Sequence, residues 1–293
     1  MEFKPVLSNF FSATKILSNV KNIAIVLLAF YLSGAQFDAI KFILGVAGLS
    51  FIFSAIYAYN NISDVVLDQK NNYKKHYAGA VQFLGEKKVV FIIFTFVLAG
   101  LVAGILINIY FTVTLGILLT VGFLYSWPST RFKEKVILDV VFGATLTYFF
   151  RFVGAWIIFS PSFPPLLPLI GLVSAKTAGY ILYKQVDRPF LQSFGIKNTI
   201  TVFSNKSLIA VSVVLWSIAL SSFLLMCLNS VYFKIKILGS VPLKFLFLLP
   251  VATPPLMIVY FYSFHKTKMD MKQLRAIGFV YWLAVLAIIL LFL

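Results

Sequence analysis

The chain has 293 residues; 61% are hydrophobic, 12% are charged, and the net charge is +16 with a mean hydropathy of +0.97. Soluble domains carry about 25% charged residues, so this composition excludes an ordinary water-soluble globule. It also argues against nucleic acid as a partner, because no basic, aromatic soluble module is present to hold one.

At the N-terminus, residues 1–21 place Phe3, Leu7, Phe10, Phe11 and Leu17 near helical spacing with lysines between them. That is the pattern of an amphipathic helix lying in the membrane interface. Long apolar runs then recur, and they are continuous rather than alternating, which predicts membrane helices and not strands. The predicted spans are 22–40, 42–61, 88–107, 109–127, 137–159, 164–183, 207–228, 241–263 and 275–293. They make an all-α membrane protein of about nine helices bundled around a central cavity, with residues 1–293 as a single polytopic domain. Pro161, Pro164, Pro165 and Pro168 mark a loop, and Pro254 with Pro255 a kink inside the eighth span. Cys227, the single cysteine, excludes an internal disulfide. His76 and His265 fall in separate basic loops and do not suggest a metal pair.

Basic residues cluster on alternate loops. The N-terminal tail and the four loops around Lys70–Lys88, Arg131–Lys135, Lys184–Lys206 and Lys266–Arg275 hold 19 of the 25. The positive-inside bias puts this side in the cytoplasm and the C-terminus outside. The excess charge thus describes topology and an anionic ligand.

Acidic residues are scarce, nine in all, and two of them stand four apart at the polar end of the second span. In AYAYNNISDVVLDQKNNYKK, Asn60, Asp64 and Asp68 fall at i, i+4 and i+8, on one face of a continuing helix. Two carboxylates under a carboxamide suit a hard divalent cation. Beside lipid, such a cluster marks a site. The sixth span ends similarly: Lys176, Tyr180, Tyr183 and Asp187 occupy one helical stripe that must line a polar cavity or the bundle. Arg151 lies deep in the fifth span, in TYFFRFVGAW, where a guanidinium needs an anion, water or a structural partner. One role for it is to recognise a carboxylate or phosphate on a substrate.

At these residues the chain resembles the UbiA superfamily of intramembrane prenyltransferases. Asn60, Asp64 and Asp68 match that family's Asn-x-x-x-Asp-x-x-x-Asp motif, with Asn61 where many members have Asp. YSWPSTRFKEKVILD resembles its Tyr-Ser-x-Pro-Pro-x-Arg-x-Lys segment, with Tyr125, Arg131 and Lys133 in place and Ser129 for the second Pro. A second acidic motif, Asp-x-x-x-Asp, is half matched: Asp187 is present, Leu191 replaces the second Asp, and Lys184 stands where relatives are often acidic. Gly195, Lys197 and Thr199 follow.

The resemblance implies a prenyl diphosphate that ionises with Mg²⁺ on its oxygens and passes its isoprenyl group to an aromatic or lipid acceptor. It implies Asp64 and Asp68 as ligands of one Mg²⁺, Asp187 of a second, and Asn60 as support. Lys74, Lys75, Arg131, Lys133 and Lys184 become candidates for gripping the diphosphate. Phe53 and Tyr57 would wall the tail's channel, and Tyr57 or Tyr125 would face a developing cation. Tyr180, Tyr183 and Arg151 join as further substrate contacts. Other outcomes fit the same residues: cyclisation of the prenyl diphosphate, pentose-phosphate transfer to a polyprenyl phosphate, a non-catalytic relative, or an anion transporter. A transporter would set its charges near the midplane, whereas these lie at one membrane face.

Overall fold

The computed structural model describes residues 3–242. Seven helices in that range are long and apolar enough to cross a membrane: Ile16–Ser33, Ala39–Ser63, Glu86–Ile107, Ile109–Ser126, Leu138–Ile157, Leu166–Gln185 and Asn205–Phe233. Among the described residues there is no strand. The last two predicted spans, with Pro254, Pro255 and His265, lie outside them, apart from the first two residues of the eighth.

Helix α1 (Phe3–Thr14) precedes the spans and is amphipathic, as its sequence pattern predicts. The first span differs from the predicted 22–40. Its main part, α2 (Val20–Ser33), stops where Gly34 turns left-handed at φ 63°. Asp38 then caps α3 (Ala39–Ser63), its carboxylate accepting from the Lys41 N–H at 3.0 Å. Gln36 and Asp38 therefore belong to a connector and not to the membrane end of a helix.

The remaining long helices are α4 (Lys75–Leu84), α5 (Glu86–Ile107), α6 (Ile109–Ser126), α7 (Leu146–Ile157), α8 (Leu166–Gln185) and α9 (Asn205–Leu228). A π-helical turn, Val141–Thr145, leads into α7. Helix α3 is the central post, packed against α5 and α6, while α2 and α6 flank α7 and α9 packs along α8. Where the bilayer supplies no hydrophobic drive between helices, close backbone approach must hold them. Glycine supplies it here. A Cβ on Gly100 would meet Ile52 at 2.9 Å and the Gly48 carbonyl at 3.3 Å, and one on Gly122 would strike Ile56 at 2.6 Å. Leu49, Ile52, Phe53, Phe111, Leu115 and Phe152 fill the interior, and Phe91, Phe94 and Ile105 face outward, as lipid contact requires.

Residues at the ends of α3, α6 and α8 contact one another across one end of the bundle, through the connectors that follow those helices. There α1 lies on α4, and the buried Asn61 side chain donates to the Ala13 carbonyl at 2.7 Å, tying α1 to α3.

Candidate active site

The Asn60–Asp64–Asp68 motif does not lie on one unbroken helix. Helix α3 ends at Ser63, Asp64 leaves helical geometry at φ −109° and ψ 5°, and Val65–Gln69 starts a new short helix. Neither Pro nor Gly announces the break. The i→i+4 relation survives it: the Asp64 N–H donates to the Asn60 carbonyl at 3.0 Å, and the Asp68 N–H to the Asp64 carbonyl at 2.7 Å.

The segment 127–137 delivers cations to this motif. Lys133 Nζ lies 2.5 Å from Asp64 Oδ1, and 3.4 Å from both Asn60 Oδ1 and Ser63 Oγ. Arg131, left-handed at φ 35°, donates to Glu134 and comes within 3.7 Å of Asp64 Oδ1. The Ser126 hydroxyl donates to Asn60 Oδ1 at 2.6 Å. Burial lowers the Lys133 ammonium below its ordinary value, against the pull of Asp64.

Across the site, the carboxylate of Asp187, 2% exposed, is paired with Lys74 at 2.7 Å. Asp68 is buried between these pairs. Burial pushes its carboxyl up to about 6; Lys74 pulls the other way and neighbouring Asp64 adds to the rise. Lys15 also bears on Asp68, and its ammonium sits 3.8 Å from the Tyr77 ring centroid and 5.6 Å from that of Tyr57.

Tyr125 at the end of α6 and Tyr180 on α8 join hydroxyls at 2.8 Å. Lys184 lies 5.6 Å from the Tyr180 ring centroid, within electrostatic reach of Tyr125, Tyr183 and Asp187. The π-helical turn brings Gly143 against this pair. A Cβ there would stand 2.6 Å from the Tyr180 hydroxyl and 3.0 Å from Tyr125. One turn deeper on α3, Tyr57 accepts from Lys21 at 2.8 Å.

The structure thus gathers Asn60, Asp64, Asp68, Asp187, Tyr125, Lys74, Arg131, Lys133, Tyr180, Tyr183 and Lys184 around one region. Lys75 is exposed and makes no hydrogen bond or ion pair with these residues. Arg151 lies deeper in the bundle, beside Phe53. Among the described residues no three acidic, histidine or cysteine side chains meet at one point; Asp64 bears on Asp68, and Lys74, which pairs with Asp187, bears on Asp68 as well.

Sequence reasoning missed four contributors. Ser126 and Lys15 are two, and Lys21 is a third. The fourth is a clamp of buried polar groups: Thr199 donates to Asp139, accepts from the Ile137 N–H at 2.6 Å, and is preceded on its chain by the Asn198 cap, whose amide donates to the Lys133 carbonyl at 3.3 Å. Ile137 is held there at φ 69°. The clamp fastens the Lys133 segment to the connector after Asp187. Its sequence signals are an acid, Asp139, beginning an apolar span, and Thr199 after the second acidic motif; neither points to the other.

The family model of the UbiA prenyltransferase family matches residues 22–286. A comparison with curated protein sequences finds no match. Among solved structures, a UbiA homolog from Archaeoglobus fulgidus bound to GPP and Mg²⁺ superposes with a TM-score of 0.73 at 15% identity, covering 96% of this chain and 99% of that one. An apo UbiA homolog from Aeropyrum pernix K1 gives 0.73 at 15% identity, with 93% and 98% covered. A digeranylgeranylglyceryl phosphate synthase gives 0.63 at 15% identity, with 98% and 96% covered. At that identity these likenesses speak to the fold.

Proposed function

The chain belongs to the UbiA prenyltransferase family, and from that premise we propose that it transfers an isoprenyl group from a prenyl diphosphate to an aromatic or lipid acceptor within the membrane. The observation that carries the reading is that Asp64 and Asp187 are each paired with a lysine from another connector, while Asp68 lies within electrostatic reach of Asp64 and of Lys74. The solved relative with GPP and Mg²⁺, and another with DMAPP and Mg²⁺, support it.

The donor set fits magnesium: it is all oxygen, carboxylates backed by a carboxamide, at the membrane face where a hydrated ion can enter. Asp64 and Asp68 would hold one ion and Asp187 a second. Bound there, Mg²⁺ withdraws charge from the leaving diphosphate. Lys133 and Lys74, which rest on Asp64 and Asp187, turn to the phosphate oxygens, where an ammonium stabilises developing negative charge. Arg131 and Lys184 flank them.

The C1–O bond of the prenyl group breaks, and its electron pair leaves with the diphosphate. The acceptor's nucleophilic atom then gives a pair to C1, and its proton passes to the departing diphosphate. Tyr57, Tyr125, Tyr180 and Tyr183 present ring faces along the path of the allylic cation, which they stabilise without reacting with it. We place this site on the cytoplasmic side, because the basic connectors surround it, with residues 1–293 acting as one membrane domain.

The test is incubation of the purified chain with geranyl, farnesyl or geranylgeranyl diphosphate, with and without Mg²⁺, and a membrane lipid extract as acceptor pool. Pyrophosphate release and product mass are read together, with Asp64→Ala as control. A metal-dependent product heavier by one prenyl unit is expected; no release with any tail length overturns the reading.

A further inference from the structure

Outside the carboxylate site, the joint between α1 and α2 shapes a cleft of its own. Helix α1 ends at Thr14, Lys15 turns left-handed at φ 49°, and a 3₁₀ turn, Ile16–Asn19, leads into α2. That backbone region is strained for a residue with a Cβ, so its surroundings must hold it. They do: Phe10 stacks edge-on against Phe96 at 6.0 Å, and Asn61 donates to the Ala13 carbonyl at 2.7 Å. With α1 pinned, the turn leaves a cleft of about 360 Å³ against the first turn of α4.

Its lining is polar and cationic. Ser8, Ser12 and Ser18 bring hydroxyls, Lys15 an ammonium and His76 an imidazole. The Lys15 ammonium stands 3.8 Å from the Tyr77 ring centroid, which holds a flexible side chain at the cleft wall. No acidic side chain among the described residues lines it. Hydroxyls, an ammonium and an imidazole N–H are the donors that phosphate oxygens take.

The cleft also has a defined depth. Lys15 immediately precedes Ile16–Ser33, a segment long and apolar enough to cross a membrane, and a basic residue at such a boundary stands at headgroup level. Helices α1 and α4, of 12 and 10 residues, are too short to span; both are amphipathic, and they pack on each other as an interfacial shelf. Leu17 borders the cleft and is 71% exposed. A polar floor beside an apolar shoulder suits an amphiphile: a free anion leaves Leu17 bare, whereas an acyl chain covers it. The lack of a lining carboxylate disfavours a headgroup that carries its own cation.

We propose that the cleft between α1 and α4 seats the phosphodiester of an anionic phospholipid, with Lys15 and the serines on its oxygens and an acyl chain along Leu17. The lipid is bound as a ligand and not as a substrate. The inference goes beyond the prenyl-transfer reading and stands without it. An anion here offsets the field that Lys15 exerts on Asp68, so occupancy of the cleft reaches the carboxylate site through one side chain.

The experiment measures retention of radiolabelled phosphatidylglycerol and phosphatidylcholine of matched acyl chains by the immobilised full chain in detergent. Phosphatidylglycerol is expected to bind about fivefold tighter, the worth of one lysine at an anionic surface. Lys15→Gln is expected to abolish most of that preference, and Lys41→Gln, at the opposite end of α3, to leave it unchanged. Equal affinity for the two lipids overturns the inference, as does a preference undiminished in Lys15→Gln or lost equally in Lys41→Gln. Inorganic phosphate that displaces phosphatidylglycerol as effectively as the unlabelled lipid does overturns the assignment to a lipid and leaves a free anion as the occupant.

Should Lys15→Gln fail to fold, Ser8→Leu/Ser18→Leu decides, because both positions are exposed and the larger side chains fill the cleft. A reduced preference in that variant supports the site, and full retention overturns it.

Discussion

Replacing Lys133 by Met isolates the pairing that readies the site. The ammonium is 2.5 Å from Asp64 Oδ1, and the two side chains are 9% and 11% exposed. Breaking a buried pair by removing one partner costs roughly 3–5 kcal/mol. Arg131, 3.7 Å from the same oxygen, keeps part of the compensation, which leaves a cost of about 2–3 kcal/mol. For a chain of this size, with about 2 °C per kcal/mol, Lys133→Met lowers the unfolding midpoint by about 5 °C in EDTA.

Magnesium should then restore most of the loss, because a divalent ion on Asp64 supplies the missing charge. The wild type should respond less, since its lysine already compensates the carboxylate. Affinity for geranyl diphosphate in saturating Mg²⁺ falls ten- to hundredfold, the worth of one charge-assisted contact of about 1.5–3 kcal/mol. Thermal unfolding followed by tryptophan fluorescence in detergent, with EDTA or Mg²⁺, reads the first effect, and radiolabelled ligand binding the second. A variant as stable as wild type in EDTA, or one that Mg²⁺ does not rescue, refutes the pairing.

Asp68 gives a pH dependence. With its carboxyl raised to about 6, protons compete with metal below that value, so Mg²⁺ affinity should rise about tenfold per pH unit up to about 6 and level off above it. The raised value also means that, without metal, Asp68 adds stability below the unfolded carboxyl value near 4 and loses it as pH rises through about 6; Mg²⁺ titrations of wild type and Asp68→Asn from pH 5 to 8 check the slope, which the variant should lack. Gly143→Ala drives a methyl into the Tyr180 hydroxyl, 2.6 Å away, and should separate Tyr180 from Tyr125 with a stability loss of about 1–3 kcal/mol; turnover should fall about tenfold, and Gly143→Ala/Tyr180→Phe should recover part of it. Asp139→Ala removes the acceptor of Thr199 and frees Ile137 from its left-handed backbone, so limited proteolysis should cut the 128–137 segment at least tenfold faster, and unchanged cleavage would count against the clamp.

The site was legible in the sequence where polarity was scarce. Nine acids in 293 residues made Asp64 and Asp68 conspicuous, and Tyr125, Arg131 and Lys133 were picked out by the resemblance of their segment to the family's. What the sequence concealed was pairing over distance. Nothing local tells Lys133 to meet Asp64 across 69 positions, or Lys74 to meet Asp187 across 113. Lys74 and Lys75 are neighbours of identical chemistry, yet one turns inward and the other out, because α4 begins between them. The break at Asp64 was hidden because no Pro or Gly marks it. The first span was read too late in the chain because its hydropathy continues past the turn at Gly34. Arg151 stood out by depth alone, but its stacking on Phe53 needed α3 and α7 to be brought together.

Lys15 sits at the joint between α1 and α2, its backbone left-handed at φ 49°, and its ammonium reaches Tyr77, Tyr57 and the surroundings of Asp68. Its position is therefore fixed from two sides, by the amphipathic α1 and by a helix long and apolar enough to span a bilayer. An amphipathic helix of this kind responds to lipids that crowd or thin a headgroup layer, and the Asn61–Ala13 bond ties α1 to the residue after Asn60. Turnover in vesicles should vary with anionic lipid content and curvature in a way that a Lys15→Gln chain no longer follows, and a micelle reports only one setting of that control.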